Sequence, residues 1–217
     1  MVVVGGGLAA MSASLTIASV VGANVTLIRP PREKRPDTWQ GIWTPALLCL
    51  SKTKIFGKDL LKRLKRDGGR YMTEAGYRNA ENGKWIARPS EFMPSPVHFS
   101  SLDPRTPALF FIRESTLLDI LEERIETQNI NVVNESFPVE FSFKENSSAE
   151  KTIETVRTQK EDSFSCDHLV VADGKFSPSR ALLNSHSPVH YRGYRVTRGI
   201  TRRNVTGNMS FQSWGTI

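Results

Sequence analysis

The sequence predicts an α/β fold in which a parallel sheet carries helices and is joined to an antiparallel β-meander. Three observations lead there. Three valines at residues 2–4 run into a glycine-rich turn, an amphipathic stretch and a second apolar run, which reads strand, turn, helix, strand. A later apolar run over residues 164–172 ends in Asp173-Gly174. Between those two regions, apolar and polar residues alternate with period two at residues 139–143, as in a half-exposed strand.

Taken in order, residues 2–4 form a short continuous apolar run, the pattern of a parallel strand buried on both faces. Leu8, Met11, Leu15, Ala18 and Val21 recur at steps of three and four and predict a helix over residues 8–21. Gly22 follows at the position where a helix end takes a left-handed conformation. Residues 25–28 predict the second strand, closing a β-α-β unit of roughly 28 residues. Pro30, Pro31 and Pro36 exclude regular structure after it. Residues 46–50 can start a helix. Residues 52–70 are basic, with Leu60, Leu61 and Leu64 as a short apolar face stopped by Gly68 and Gly69. Residues 71–107 read as loops and short strands punctuated by prolines. Leu117, Leu121 and Ile125 at i, i+4 and i+8 define another helix, which Ser115 or Thr116 can cap. A strand over residues 130–133 follows. Residues 139–143, 153–158 and 164–172 then give a three-stranded meander. A short helix is expected over residues 179–184, and short β segments over residues 189–217.

Of 217 residues, 39% are apolar and 24% charged, which excludes a low-complexity or collagen-like chain. The net charge of +7 suits anionic ligands such as phosphates without proving a nucleic-acid partner. The best membrane candidate, residues 2–28, is broken by Gly5, Gly6, Gly7, Gly22 and Asn24, and no basic leader precedes it. No signal peptide or stable membrane insertion is expected; the reading is a soluble cytoplasmic or organellar chain. Cys49 and Cys166 lack the C-x-x-C spacing of a zinc or redox site, in keeping with a reducing compartment. His186 and His190 stand four apart, but Pro188 spoils a helix there, so no metal site is expected.

The first motif is Gly5-x-Gly7-x-x-Ala10, set between strand and helix. Gly5 permits a tight turn at positive φ. Gly7 removes a side chain where backbone must approach a pyrophosphate, and Ala10 is small enough for the helix to pack on the strand. The backbone of Gly6, Leu8 and Ala9 completes the turn. The helix start offers unpaired N–H groups and a partial positive charge to phosphates. The pattern therefore points to a Rossmann-like dinucleotide fold. An acidic residue is expected to end the second strand and bond a ribose hydroxyl. Arg29 stands there instead. It can meet a 2′-phosphate, stack on adenine, or weaken binding. The second motif, Asp173-Gly174 followed by Ser177 and Arg180, is delivered to the end of an apolar strand. Asp173 can cap the turn or bond a ribitol or ribose hydroxyl.

In this order the motifs resemble the FAD-dependent aromatic-ring hydroxylase and epoxidase family, which includes p-hydroxybenzoate hydroxylase and zeaxanthin epoxidase. The segment VVVGGGLAAMSAS is similar to its first FAD fingerprint. GIWTPALLCL resembles the segment beside the isoalloxazine. FFIRESTLLDIL, with Arg113 and Leu117, resembles the helix start whose arginine reaches the FAD, and CDHLVVADGKFSPSR resembles the Asp-Gly fingerprint. YRGYRVTRGI and SFQSWG look like the first strands of the substrate domain.

The resemblance implies FAD as cofactor, NAD(P)H as reductant, O₂, and a small organic substrate that is hydroxylated or epoxidised, with no catalytic side chain required. Gly5, Gly7 and Ala10 would hold the pyrophosphate, Arg113 the phosphates, and Asp173 and Gly174 the cofactor cleft. It implies an FAD-binding domain over residues 1–184, with residues 71–107 contributing to the substrate domain, and the beginning of the substrate-domain sheet over residues 185–217. The family's third fingerprint, a Gly-Asp segment, does not occur before residue 217, so the expectation is a C-terminally truncated fragment that binds flavin weakly and does not couple oxygenation. Two other readings stand beside it. One is an NADP-dependent flavoprotein reductase, prompted by Arg29, and the other a non-catalytic dinucleotide-binding fragment. The basic stripe of Lys52, Lys54, Lys58, Lys62, Arg63, Lys65, Arg66 and Arg70 raises nucleic acid or an acidic membrane. With few aromatics interleaved, a solvated face is the expectation.

Overall fold

The computed structural model describes residues 1–31, 38–43, 46–47, 60–71, 77–79, 82, 84–87, 109–134, 136–145 and 151–183. The expected substrate-domain strands over residues 185–217, with His186, His190 and Trp214, lie outside the described residues. So do Cys49, Lys52, Lys54 and Lys58, most of residues 71–107 and of 46–50.

A parallel sheet is flanked by two layers, one on each face. Its strands are β1 (Val2–Val4), β2 (Val25–Arg29), β8 (Ile130–Asn134) and β12 (Leu169–Val171), in the order β12-β1-β2-β8. Val3 pairs with Leu27 on one side and Val170 on the other, all parallel. Alternation assigns side chains to faces. Val3, Val25 and Leu27 pack on α1 (Leu8–Thr16) and α3 (Glu114–Glu126), through Ala10, Met11, Leu15, Leu117, Leu121 and Ile125. Val2, Val4 and Ile28 face the opposite layer and meet Phe141, Val156 and Cys166. That layer is an antiparallel meander of β9 (Pro138–Glu145), β10 (Lys151–Thr158) and β11 (Ser163–Ser165). The three valines of β1 are thus buried on both faces, as a central parallel strand requires.

A second antiparallel sheet, in the order β3-β7-β4, joins β3 (Trp39–Trp43), β7 (Leu109–Arg113) and β4 (Arg70–Tyr71). A hairpin pairs β5 (Tyr77–Arg78) with β6 (Trp85–Ala87). Two short helices remain: α2 (Leu60–Arg66) carries buried Leu64, and α4 (Pro178–Leu182) packs on β9.

Four expectations change. The helix expected over residues 8–21 is α-helical only to Thr16; residues Ile17–Val21 wind as a wider π turn before Gly22, at φ 69°, ends it. The wider turn shifts the phase, and Val21 leaves the apolar face to stand 69% exposed. The run over residues 164–172 is two strands, β11 closing the meander and β12 entering the parallel sheet, because Asp167 and His168 carry the chain from one layer to the other. Strands β3 and β7 were not expected. Finally, α3 begins at Glu114, so Ser115 and Thr116 fall inside its first turn and neither caps it.

Candidate functional site

The glycine turn lies at the carboxyl end of β1. Gly5 N–H donates to the Ile28 carbonyl at 2.9 Å, and the chain turns with Gly5 at φ 138°. A Cβ there would sit 2.3 Å from the Ala172 carbonyl oxygen and 2.9 Å from the Ala10 Cβ. Gly5 and buried Ala10 therefore let strand, helix and the end of β12 close on one another. Gly6 has more room, with Pro30 O 3.7 Å from its imagined Cβ. A Cβ at Gly7 would meet nothing within 4 Å.

Gly7 is the N-cap of α1 and brings no side chain to it; the first turn carries no acidic residue. The first intrahelical bond runs from Met11 N–H to the Gly7 carbonyl at 3.1 Å. The N–H groups of Leu8, Ala9 and Ala10 precede it, on the positive end of the helix dipole. Ala9 is exposed and Ala10 buried, so the turn presents donors on one side and packs on the other.

Across from this turn, Ala172 N–H donates to the Val4 carbonyl at 2.8 Å and fixes the end of β12 beside that of β1. An open cleft of about 400 Å³ lies between, lined by Ala9, Val171, Ala172, Asp173, Gly174, Ser177, Arg180 and Leu183. Asp173 Oδ2 accepts the Ser179 N–H at 3.1 Å, and Ser177 Oγ accepts that of Arg180 at 3.1 Å. Asp173 thus caps α4 with one carboxylate oxygen. Gly174 turns at φ 92°. Ser177 and Arg180 follow Asp173-Gly174 closely in sequence, yet their place in the cleft lining was not expected; the three-residue spacing that puts both at the start of one helix was the available signal.

The two arginines stand elsewhere. Arg29 ends β2 on the helix side of the sheet. Its Nε donates to Asn134 Oδ1 at 3.0 Å, and its Nη1 contacts the Glu122 carboxylate at 2.5 Å. The guanidinium is mostly covered, 19% exposed, so its charge is spent within the fold, on a helix and a neighbouring strand. Sequence gave no hint of either partner, each about a hundred residues away. Arg113 is exposed at the junction of β7 and α3, its guanidinium 5.5 Å from the centroid of the Trp39 ring. It does not line the cleft. A short turn joins α3 to β8, so the amino end of α3, like that of α1 packed beside it, lies toward the carboxyl edge of the sheet.

Two arginines of the basic stripe are paired with carboxylates. Arg63 bonds Glu123 and reaches Asp67 at 3.7 Å; Arg66 bonds Asp67 at 2.8 Å. The hydrogen bond to Glu123 raises Arg63 and lowers Glu123, and Arg66 holds the Asp67 carboxyl below its ordinary range. Burial pushes the Cys166 thiol up. Among the described residues, no helix is long and apolar enough to cross a membrane.

No protein-family model matches the sequence, and no curated protein matches it. Solved structures do share its fold. Pseudomonas aeruginosa PqsL in complex with 2-aminobenzoylacetate matches with a TM-score of 0.64 at 16% identity, over 90% of this chain and 48% of that one. Another structure of PqsL, "a probable FAD-dependent monooxygenase", gives 0.61 at 18% identity, over 90% and 48%. The p-nitrophenol 4-monooxygenase PnpA from Pseudomonas putida DLL-E4 gives 0.59 at 16%, over 90% and 44%. The chain spans less than half the length of these structures. What it shares with them is a mixed α/β fold with one parallel sheet and antiparallel sheets.

Proposed function

We propose that the chain is the dinucleotide-binding portion of a flavin-dependent monooxygenase, holding FAD at the glycine turn. NAD(P)H would be the reductant, O₂ the oxidant, and a small organic molecule the substrate. One observation carries the reading: residues 5–7 deliver the uncapped first turn of α1 to the carboxyl edge of a parallel sheet, next to Asp173-Gly174. The likeness of fold to FAD-dependent monooxygenases supports the choice of FAD over other dinucleotides.

The residues fit such a group. The N–H groups of Leu8, Ala9 and Ala10 would donate to pyrophosphate oxygens, and the bare side of Gly7 would give the phosphates room to approach. Gly5 and Gly6 set the turn. Arg113 adds positive charge for the phosphates. Asp173 keeps one carboxylate oxygen for a ribitol or ribose hydroxyl, and Gly174 lets the backbone pass close to it. Arg29 has a different part, tying β2 to β8 and α3. FAD, when bound, supplies the redox and oxygen-transfer chemistry; these side chains bind and orient it. In this reading residues 1–184 would form the FAD-binding domain, with residues 71–107 contributing to the substrate domain and residues 185–217 beginning its sheet. Hydroxylation or epoxidation belongs to the whole enzyme, since the matched structures are about twice as long as the chain. The alternative of an NADP-dependent reductase loses its motive, because the Arg29 charge meets Glu122.

The test is a titration of the chain with FAD, followed by quenching of flavin fluorescence. Saturable binding that ADP reverses, and that riboflavin fails to reproduce, is expected of a site that reads the diphosphate. Equal binding of riboflavin, or no saturation with FAD, overturns the reading.

A further inference from the structure

The parallel strands end side by side in the order β12-β1-β2-β8, so Asp173, the glycine turn, Arg29 and Asn134 follow one another along one carboxyl edge. Arg29 and Asn134 are direct partners in the β2–β8 ladder. The Arg29 Cβ lies 4.0 Å from the Cβ that Gly6 would carry, so the end of β2 adjoins the turn itself. Asn134 is exposed and one strand further out, roughly 10 Å from the end of β1 by strand spacing. Alternation puts Arg29 on the face of Val25 and Leu27, and Asn134 on the face of Ile130 and Val132, which is the face that carries α1. The side-chain amide of Asn134 is held in one orientation. Arg29 reaches it with Nε at 3.0 Å and Nη2 at 2.5 Å. A guanidinium only donates, so the amide atom met twice is the oxygen, Oδ1. The amide nitrogen, Nδ2, then faces away from Arg29 and has no hydrogen-bond partner among the described residues. The remaining Arg29 contact goes to Glu122, and the Asn134 carbonyl accepts Lys160 Nζ at 3.1 Å.

We propose that Asn134 reads the base of the bound dinucleotide: its Nδ2 donates to an acceptor nitrogen of the adenine ring, and Arg29 holds the amide in the orientation that makes it a donor. This rests on the flavin reading, in which the diphosphate lies at the glycine turn. One half of the dinucleotide then runs toward β12 and Asp173. The adenosine half runs the other way, with its ribose over the end of β2 and its base beyond, at the end of β8. Arg29, neutralised by Glu122, offers no net charge to a second phosphate there, so what this end of the edge presents is a neutral donor. Adenine carries N1, N3 and N7 as ring acceptors, and an amide N–H suits any of them. With the amide turned the other way the edge would present an oxygen, which a ring nitrogen without a hydrogen cannot use. Ordering the amide in advance also lowers the rotamer entropy lost when the base arrives.

The experiment is a calorimetric titration with ADP, with its 1-deaza, 3-deaza and 7-deaza analogues and with inorganic pyrophosphate, on the unaltered chain and on Asn134→Asp. In the unaltered chain the analogue that replaces the accepting nitrogen by C–H is expected to bind roughly fivefold more weakly than ADP, and the others like ADP. Asn134→Asp keeps an oxygen for Arg29 and removes the donor. It is expected to raise Kd for ADP roughly fivefold beyond any change in Kd for pyrophosphate, which registers the added charge alone. The sensitive analogue is expected to suffer no further loss in that variant, where independent effects would multiply to roughly twenty-five-fold below ADP on the unaltered chain. A merely structural asparagine would not make the unaltered chain sensitive to one ring atom. Should Asn134→Asp fail to fold, the deaza series on the unaltered chain carries the test. A series in which no single analogue stands apart, multiplicative penalties, or an Asn134→Asp loss shared equally by ADP and pyrophosphate, overturns the inference alone. Absent binding of ADP to the unaltered chain overturns the reading of the glycine turn as a diphosphate site and removes the inference with it.

Discussion

Replacing Gly5 by alanine would place a methyl group 2.3 Å from the Ala172 oxygen, 2.7 Å from its carbon and 2.9 Å from the Ala10 Cβ. The first two are backbone atoms of the residue that directly follows β12, held by the Ala172 N–H to Val4 carbonyl bond, so no rotamer change relieves them. The end of β12 must move away by roughly 1 Å, or the turn must reform, and overpacking of this kind costs about 1–3 kcal/mol. Holding a non-glycine residue at φ 138° adds about 1–3 kcal/mol. The sum, about 2–6 kcal/mol, is a large part of the roughly 5–15 kcal/mol that keeps a domain folded. In urea, with a slope of about 2 kcal/mol per molar, the unfolding midpoint should fall by about 1–3 M. Gly7→Ala is the internal control. Its methyl enters open space at an ordinary backbone conformation, φ −95°, so stability should change by no more than about 0.5 kcal/mol. Because that methyl stands where the diphosphate should approach, FAD affinity should nonetheless drop roughly tenfold, about 1.4 kcal/mol. Equal midpoints for Gly5→Ala and the unaltered chain would refute the argument, as would equal destabilisation by the two substitutions.

Arg29→Gln removes the contacts to Glu122 and Asn134 and, at a partly solvated site, should lower stability by about 1–2 kcal/mol in urea unfolding while leaving relative NADPH and NADH binding unchanged; loss of an NADPH preference would restore the 2′-phosphate role. The carboxyls of Glu123 and Asp67 are held below their ordinary range by Arg63 and Arg66, so their contribution is present above that range and is lost as pH falls through the lowered values. Thermal melts between about pH 5 and pH 3 should therefore fall less in Glu123→Gln/Asp67→Asn than in the unaltered chain. Burial pushes the Cys166 thiol up and keeps it protonated, so peptide mapping should find it alkylated slowly at mildly basic pH in the folded chain and quickly in urea.

The β1–α1–β2 unit was legible because its signals are local: a turn that only glycine fits, an apolar period, and Gly22 at the helix end. The layer assignment was legible too, since Val2, Val3 and Val4 could not be satisfied on one face alone. What escaped the sequence depends on distant partners. Strand β3 contains Gly41 and becomes a strand only through β7, some seventy residues on. Within residues 164–172 the polar pair Asp167-His168 lies where the chain leaves one sheet for another, but a polar pair alone does not say that the two halves join different sheets. The π turn reflects a competition that periodicity does not record: Ser14 and Thr16 hydroxyls bond the carbonyls of Ala10 and Ser12, four residues back, before β-branched Ile17, Val20 and Val21. At the candidate site, Gly5, Gly7, Ala10 and Asp173 stand out by residue type and spacing. The engagement of Arg29 by Glu122 and Asn134, and the pairing of Arg113 with Trp39, required the tertiary fold.

Amide chemical shifts of Leu8, Ala9 and Ala10, recorded as FAD is added, probe the bare start of α1 directly. Saturable movement of all three, reproduced by ADP and accompanied by Gly174, is the predicted result. Unmoved amides there, with shifts confined to the basic helix α2, would contradict it.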